Sequence, residues 1–383
     1  MGTCKYLLVG VDNDVSRSKS LPGFRVMTKH RQAWAPKTVS MTEHVWVEVH
    51  SQSEGTFINP KYTIHLYITD PPQGSGRPTS IAVEITNNHD NYTIATNQIS
   101  NDDMKLTNFI SFAHLKTWHG LEVKYTASSW RVEVFVPACY STLTEGLCGN
   151  FDSVPGNDYT RTLNGSTVTY TSPVDWAHTW QIIDDSDDCE AGPTNFEPCT
   201  DENVLNNCKR ITDESDIFSP CHSILPPKPY YDDCVFDHCI DDTIKCAMYD
   251  QYATSCLAQI PTIQLTDNLC DWAKNTGCAP TCGENMVYEG CADLCRDVEL
   301  KTCGNKDRDE KSFCLSAPKY TSMCVCKDGF VMENGKCINK SQCGCKRPDG
   351  ASVAIGFTDI TCKEKCECTS NGYFCSDHLP GLR

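Results

Sequence analysis

The chain has 383 residues, a formal net charge of −17 and 27 cysteines. An acidic surface repels phosphate backbones and anionic lipid, which excludes nucleic acid and charged membrane surfaces as partners. No apolar run approaches the ~20 residues of a bilayer span, and cysteines at this density exclude a reducing compartment.

The length suggests two to four domains at ~100–200 residues each. Residues 4 to about 183 read as all-β. Apolar side chains alternate at Val45, Val47 and Val49, at Ile64, Leu66 and Ile68, at Ile81, Val83 and Ile85, and at Val132, Val134 and Val136. Alternation of this kind marks strands with one buried face. Turn-forming stretches separate them: Asp70–Gly76, Asn87–Asn91 and Thr126–Ser129. The pattern predicts an antiparallel β-sandwich with an apolar core of its own. Consistent with that, only Cys4 precedes Cys139. The acidic run Asp184–Asp188 closes this part and reads as a solvated linker.

From residue 189 the composition changes. Residues 189–278 are cysteine-rich with helical patches; Cys246, Tyr249, Ala253 and Cys256 fall near one helical face. Nine cysteines occupy the 62 residues from Cys282 to Cys343. A module of that size needs disulfides, because its own apolar core is too small. Residues 344–383 form a further cysteine module. The expected domains are therefore 1–188, 189–278, 279–343 and 344–383, mostly β, with a small helical module and two small disulfide-stapled modules after the sandwich.

Zinc is the competing use of so many cysteines, but no C-x2-C pair occurs. The close pairs are C-x-C (Cys324/Cys326, Cys343/Cys345, Cys366/Cys368) or C-x3-C (Cys278/Cys282, Cys291/Cys295, Cys362/Cys366). Cys234, His238 and Cys239 are similarly better read as disulfide chemistry. Asn91, Asn164 and Asn339 each begin an Asn-x-Ser/Thr glycosylation acceptor. These features predict a secreted, extracellular protein. The chain carries no signal peptide and its cysteine count is odd, so the expectation is a fragment of a larger protein.

The most specific string is Gly146-Leu-Cys-Gly-Asn-Phe-Asp152, followed by Asn157-Asp-Tyr159. Preceded by Trp130–Pro137 and by the opening Cys4-Lys-Tyr-Leu-Leu-Val, and followed by Trp176 and Trp180 before Cys189, it resembles the von Willebrand factor type D domain. The downstream order resembles that family too. An eight-cysteine module is suggested by Cys234–Cys239 and Trp272, a trypsin-inhibitor-like module by Cys282–Cys291 and Cys324–Cys343, and a partial type C-like module by the tail. The resemblance implies that Cys4 pairs with Cys189. It places the partner of Cys148 in a segment ahead of Cys4 that this sequence does not contain, with Cys139 as the alternative. Multimer-forming members carry Cys-Gly-Leu-Cys, whereas position 145 here is Glu145.

Asn150, Asp152, Asn157 and Asp158 put four oxygen-bearing side chains within nine residues. That composition suits a calcium site, for which carbonyls complete the six to eight ligands, and it equally suits an ion-free Asx-rich turn. The resemblance implies structural calcium, with the Val154 carbonyl as a further ligand. No nucleophile elbow, P-loop or zinc-protease helix occurs, and His114 and His119 lack a local nucleophile or carboxylate, so no enzyme is expected. The function implied is a structural and adhesive part of a matrix or mucus-type glycoprotein. Its partners would be extracellular glycoproteins or matrix components, with self-association open to it. The alternative is serine protease inhibition through the trypsin-inhibitor-like module, where Asn305–Lys311 is basic enough to attract trypsin.

Overall fold

The computed structural model describes residues 3–377 apart from 12–18, 20, 33–39, 51–59, 70–79, 91, 96–97, 109–111, 164–165, 184–198, 241–243, 261–264, 304, 307, 315–319, 334–335, 347–351, 354, 361–363 and 370–371. The acidic run, Cys189, Asn91, Asn164 and the Asp70–Gly76 turn lie wholly or almost wholly outside the described residues. Two compact units are present, Met1–Ala253 and Thr254–Arg383.

In the first unit the strands are β1 (Lys5–Gly10), β2 (Phe24–Gln32), β3 (Ser40–Val49), β4 (Tyr62–Ile68), β5 (Ile81–Asn87), β6 (Tyr92–Ala95), β7 (Gln98–Ser100), β8 (Met104–Asn108), β9 (Phe112–Thr117), β10 (Glu122–Thr126), β11 (Arg131–Phe135), β12 (Thr160–Leu163), β13 (Ser166–Thr169) and β14 (Gln181–Ile182). They form an antiparallel seven-stranded sheet, β14-β1-β2-β3-β4-β5-β6, a five-stranded sheet, β11-β10-β9-β8-β7, and the β12-β13 hairpin. The alternation seen in the sequence is the reason. Val45, Val47, Val49, Ile64, Leu66, Ile81, Val83 and Ile85 are all buried in one cluster with Leu106, Leu115, Val123 and Tyr125 of the other sheet. Burial of each such side chain contributes roughly 1.5–3 kcal/mol. The Val132/Val134 set is the exception to full burial: β11 is the edge of its sheet and its side chains stay half-exposed.

Aromatic side chains tie the layers by their polar tips. The Tyr125 hydroxyl donates to the Thr42 carbonyl at 2.8 Å and the Trp118 indole N–H to the His50 carbonyl at 2.9 Å. Each spans a packed apolar interface and satisfies a carbonyl there.

Helix α1 (Pro173–His178) follows the hairpin, with Ser172 as N-cap accepting from the Asp175 N–H. The helical region then supplies α2 (Glu202–Lys209), α3 (Pro227–Ile240) and α4 (Lys245–Leu257). Disulfides Cys208–Cys234 and Cys199–Cys239 staple the α2 and α3 region. This assigns Cys234 and Cys239 to disulfides, while His238 Nε2 sits 3.2 Å from the Asn207 amide. On α4, Tyr249, Ala253 and Cys256 are buried as the periodicity predicts. Ile244 and Ala247 join the sandwich core, so the first compact unit includes most of this helix.

The second unit contains α5 (Asp267–Cys270), α6 (Trp272–Asn275) and the hairpins β15 (Met286–Asp293) with β16 (Tyr320–Cys326) and β17 (Phe330–Glu333) with β18 (Lys336–Asn339). Its core is small and cross-linked by Cys270–Cys291, Cys282–Cys324, Cys295–Cys314, Cys303–Cys343 and Cys326–Cys337. Trp272 is its largest fully buried side chain, and its indole donates to Ser322 Oγ, which donates on to the Gly290 carbonyl. A Cβ at Gly290 would fall 1.7 Å from the Cys270 carbonyl oxygen, so only glycine lets β15 approach α5 closely enough for Cys270 and Cys291 to bond. Farther on, Cys345–Cys368 and Cys366–Cys375 staple the tail.

Two predictions follow from this packing. Gly290→Ala is expected to cost more than about 3 kcal/mol, read as a fall in melting temperature and the appearance of free thiol at Cys270 or Cys291. Burial pushes both His30 and His119 down to about 4. Their folded forms exclude a proton that the unfolded chain takes up near pH 6.5, so the stability they confer is complete above that value and is lost as pH falls toward 4. Asp237, pushed up to about 6 by burial and by Asp233, acts in the opposite sense over this window. Removing the imidazole with His30→Leu should flatten the acid limb of the stability profile by on the order of 3 kcal/mol, measured by urea unfolding across that range.

Candidate functional site

The Gly146–Asp158 loop is built onto β1. Gly10 and Glu145 exchange two backbone hydrogen bonds of 2.9 Å, Leu147 N–H donates to the Leu7 carbonyl, and Cys148 N–H donates to the Leu8 carbonyl. On the same strand, the Leu7 N–H donates to the Trp180 carbonyl. One strand thus carries the loop and the tryptophan segment together. Beneath the loop, Trp176 and Trp180 meet edge to face at 5.5 Å, Tyr159 meets Trp176 at 5.9 Å, and the Arg161 guanidinium lies 3.8 Å over the Trp180 ring while donating to the Thr179 carbonyl. A cavity of about 310 Å³ lies here, with Glu145, Asn150, Asn157, Asp158, Arg161 and Trp176 among its lining.

The loop backbone is bent hard. Thr142, Phe151 and Ser153 hold φ of 65°, 56° and 66°, in the left-handed region that non-glycine residues seldom occupy. Gly149, at φ 76°, lies directly beneath Asp158: a Cβ there would stand 2.2 Å from its carboxylate oxygen. The bends are held by Ser141 Oγ donating to the Phe151 carbonyl and Thr144 Oγ1 to the Gly149 carbonyl.

These bends gather most of the residues singled out from the sequence. Asp152 is the centre. It accepts from Asn150 Nδ2 at 3.0 Å, from Asn157 Nδ2 at 2.7 Å and from the Val154 N–H at 2.7 Å. Those donors, the Asn157 amide first, hold its carboxyl below the usual carboxylate range. The Val154 carbonyl accepts from the Asn157 N–H. Asp158 packs instead over Gly149 and beside Cys148. One polar atom is left over: Asn157 Oδ1 is buried with no hydrogen-bond partner. Among the described residues no three His, Cys, Asp or Glu side chains converge as an ion-binding group. Any cation here would therefore depend on amide and carbonyl oxygens as well as on the two carboxylates. Neutral oxygens of this kind are ordinary calcium ligands, and an orphaned amide oxygen beside a charged carboxylate fits that donor set.

Cys139 and Cys148 are both free thiols, so the alternative pairing of the two is not made. Enclosure of the Cys148 sulfur and the nearby Asp158 carboxylate push its thiol up to about 11. Cys4 is disulfide-bonded, and Cys189 falls outside the described residues. Asn339 is exposed at the end of β18, where its Oδ1 accepts from the Ser341 N–H and hydroxyl. His114 lies on β9 and His119 in the turn that follows it, and the two are held separately. The first bonds to Glu122 at 3.0 Å and the second lies 3.3 Å from the Tyr140 hydroxyl. Sequence reading missed Thr144, Arg161 and Trp180 as parts of the loop's support; only the tryptophan carried a signal, through its place before Cys189.

Comparison with known proteins agrees with this architecture. Residues 1–165 match the von Willebrand factor type D domain, residues 207–279 the C8 domain, and residues 282–343 the trypsin inhibitor-like cysteine-rich domain. The chain is 26% identical over 393 aligned positions to the human IgGFc-binding protein, covering 96% of this chain and 6% of that protein. It is 26% identical to pig zonadhesin, over 70% of this chain and 11% of the relative, and 26% identical to human alpha-tectorin, over 66% and 11%. The chain therefore spans only a small part of the length of these relatives.

The Cys148 environment yields a test. Removing a neighbouring negative charge favours the thiolate, so Asp158→Asn should lower the Cys148 pKa and speed its alkylation. In a Cys139→Ser background, iodoacetamide labelling followed by mass spectrometry against pH should show the whole rate curve displaced to lower pH.

Proposed function

This chain belongs to the von Willebrand factor type D domain proteins, with C8 and trypsin inhibitor-like domains in series, and on that premise we propose that it is a non-enzymatic structural and adhesive part of a secreted matrix or mucus-type glycoprotein. The observation that carries the reading is the mechanical organisation. An apolar sandwich with its own core is followed by segments cross-linked at short intervals, among them Cys199–Cys239, Cys208–Cys234 and Cys270–Cys291. Cross-links of this density limit the unfolded chain and resist proteolysis. Among the described residues no helix is long and apolar enough to cross a membrane. The likeness to zonadhesin, alpha-tectorin and the IgGFc-binding protein supports an adhesive role. Extracellular glycoproteins or a second copy of the chain are the partners it would meet.

Within that role, calcium would be held by Asn150, Asp152, Asn157, Asp158 and the Val154 carbonyl. It would supply positive charge where two carboxylates and the unpartnered Asn157 Oδ1 lie in one loop. A glycan would be carried at Asn339, whose exposed side chain leaves room for it. The trypsin inhibitor-like domain supports a second reading, because the Cys295–Cys314 and Cys303–Cys343 bonds lie to either side of Lys306 and Arg308 in the chain.

The deciding experiment is thermal unfolding of oxidised protein in calcium and in chelator, with an Asp152→Ala/Asp158→Ala double variant. Calcium at a hundred times its dissociation constant should add about 2.7 kcal/mol, or roughly 5–10 °C. Chelator should remove that increment and the variant should never show it. An identical midpoint in all three would reject the calcium site. For the second reading, nanomolar inhibition of trypsin would support an inhibitor, and simple cleavage after Lys306 or Arg308 would exclude one.

A further inference from the structure

The outer face of the seven-stranded sheet carries a ladder of stacked rings that starts at Trp46, which packs against the Leu7, Met27, Trp176 and Trp180 cluster, and runs away from it. Trp46 of β3 and His65 of β4 are cross-strand partners, stacked at 4.6 Å with planes 4° apart. His65 stacks in turn on Tyr67 at 4.6 Å, and His44 stacks on Trp46 at 5.4 Å. Side-chain pairing across strands explains the stack, since rings on one face of neighbouring strands stand within contact distance. It fixes the rotamers of two histidines that sit diagonally across the pair.

Those histidines face each other. His44 Nδ1 and His65 Nε2 are 2.9 Å apart, so one imidazole donates to the other. The second nitrogen of each ring faces a carboxylate: His44 Nε2 lies 3.7 Å from Glu43, and His65 Nδ1 lies 3.8 Å from Glu84. Glu84 is itself held by the Tyr67 hydroxyl at 3.0 Å. Histidine that ligates a metal through one nitrogen usually turns its other N–H to a carboxylate, which sets the tautomer and raises ligand basicity. Here a carboxylate stands within 4 Å of each outer nitrogen, close enough for a small side-chain shift to complete that arrangement.

We propose that His44 Nδ1 and His65 Nε2 form a surface site for a divalent transition-metal ion of the copper or nickel type, completed by water. Two nitrogens bound side by side on a tetragonal ion, at bonds of about 2.0–2.1 Å, stand roughly 2.9 Å apart. On binding, the shared proton would move to the outer nitrogen of the ring that donates it, so both imidazoles stay neutral and each faces the ion with a lone pair. Each ring must tilt off the nitrogen–nitrogen line, and both side chains keep contact with solvent, with 28% and 22% of their surface exposed. Glu43, Glu48 and Glu84 bring negative charge to this face, while Lys29, opposite His44 on β2, and Lys5, 4.2 Å over the Trp46 ring, oppose a cation. The balance predicts a site of moderate affinity.

The test uses the whole chain without an affinity tag, in a Cys139→Ser/Cys148→Ser background and saturated with calcium, titrated with nickel chloride. Calorimetry should show binding at neutral pH that weakens at mildly acidic pH. His44→Phe and His65→Phe keep a ring in the stack and remove the nitrogen; each should weaken binding at least tenfold at an unchanged melting temperature. Trp46→Phe should keep the binding and lose most of the fluorescence quenching, because Trp46 stacks on a ligand ring. In the unsubstituted protein, sub-stoichiometric nickel should broaden the His44 and His65 ring resonances before those of other histidines. Equal affinity in both Phe variants, no binding at millimolar nickel, or broadening that begins at another histidine would overturn the site.

Discussion

The pairing of strand β1 on both of its edges is the interaction on which the first unit depends. One edge of β1 runs against β2 in the seven-stranded sheet. The other takes the Glu145–Cys148 segment and the start of β14. A strand with its donors and acceptors taken on both sides cannot slip, because a one-residue shift would turn Tyr6 and Val9 out of the core together. The bends at Phe151 and Ser153 are sustained by this anchor. Backbone strain of about 1–3 kcal/mol per residue persists only where the surroundings over-determine the chain. Here they do so through the hydrogen bonds to β1 and the Trp176–Trp180 pair below.

Stability is organised differently in the two units. The sandwich relies on apolar area, and Cys139 and Cys148 take no part in cross-linking it. The second unit has too little core for that and relies on cross-links. Cysteine numbers that look unbalanced by segment become balanced in space. Nine cysteines from Cys199 to Cys278 and nine from Cys282 to Cys343 each leave one over, and Cys270–Cys291 bonds across the boundary between those segments. Gly290 is what permits this bond, and the buried Trp272–Ser322–Gly290 chain of hydrogen bonds lies against it. The two cysteine-rich domains are thereby joined covalently as well as by packing.

Charge and aromatic rings recur as paired devices on the sandwich. Around Asp152 the protein supplies amide N–H groups to one carboxylate. On the outer ladder it sets two imidazoles against each other, with a carboxylate near the outer nitrogen of each. Both arrangements place polar groups on a frame already made rigid by backbone pairing, which is what allows small distances to be held without a large core of their own.

The sequence by itself determined the class of protein and much of the frame. Strict alternation at Val45–Val49, Ile64–Ile68 and Ile81–Ile85 specified strands and their buried faces, because a period of two admits no other regular structure. Cysteine spacing without C-x2-C pairs specified disulfides, and the Gly146–Asp152 string located the loop. Only the tertiary structure decided what depends on distance between remote segments. It made β11 an edge, so that Val132 and Val134 are half-exposed despite a perfect alternation. It carried Ile244 and Ala247 of a cysteine-rich segment into the sandwich core. It set Asp158 over Gly149 while Asn150 and Asn157 turned to Asp152, and it brought His44 to His65 across two strands. Periodicity reports which face a side chain takes; it says nothing of which strand lies beside it, and sites are made by neighbours in space.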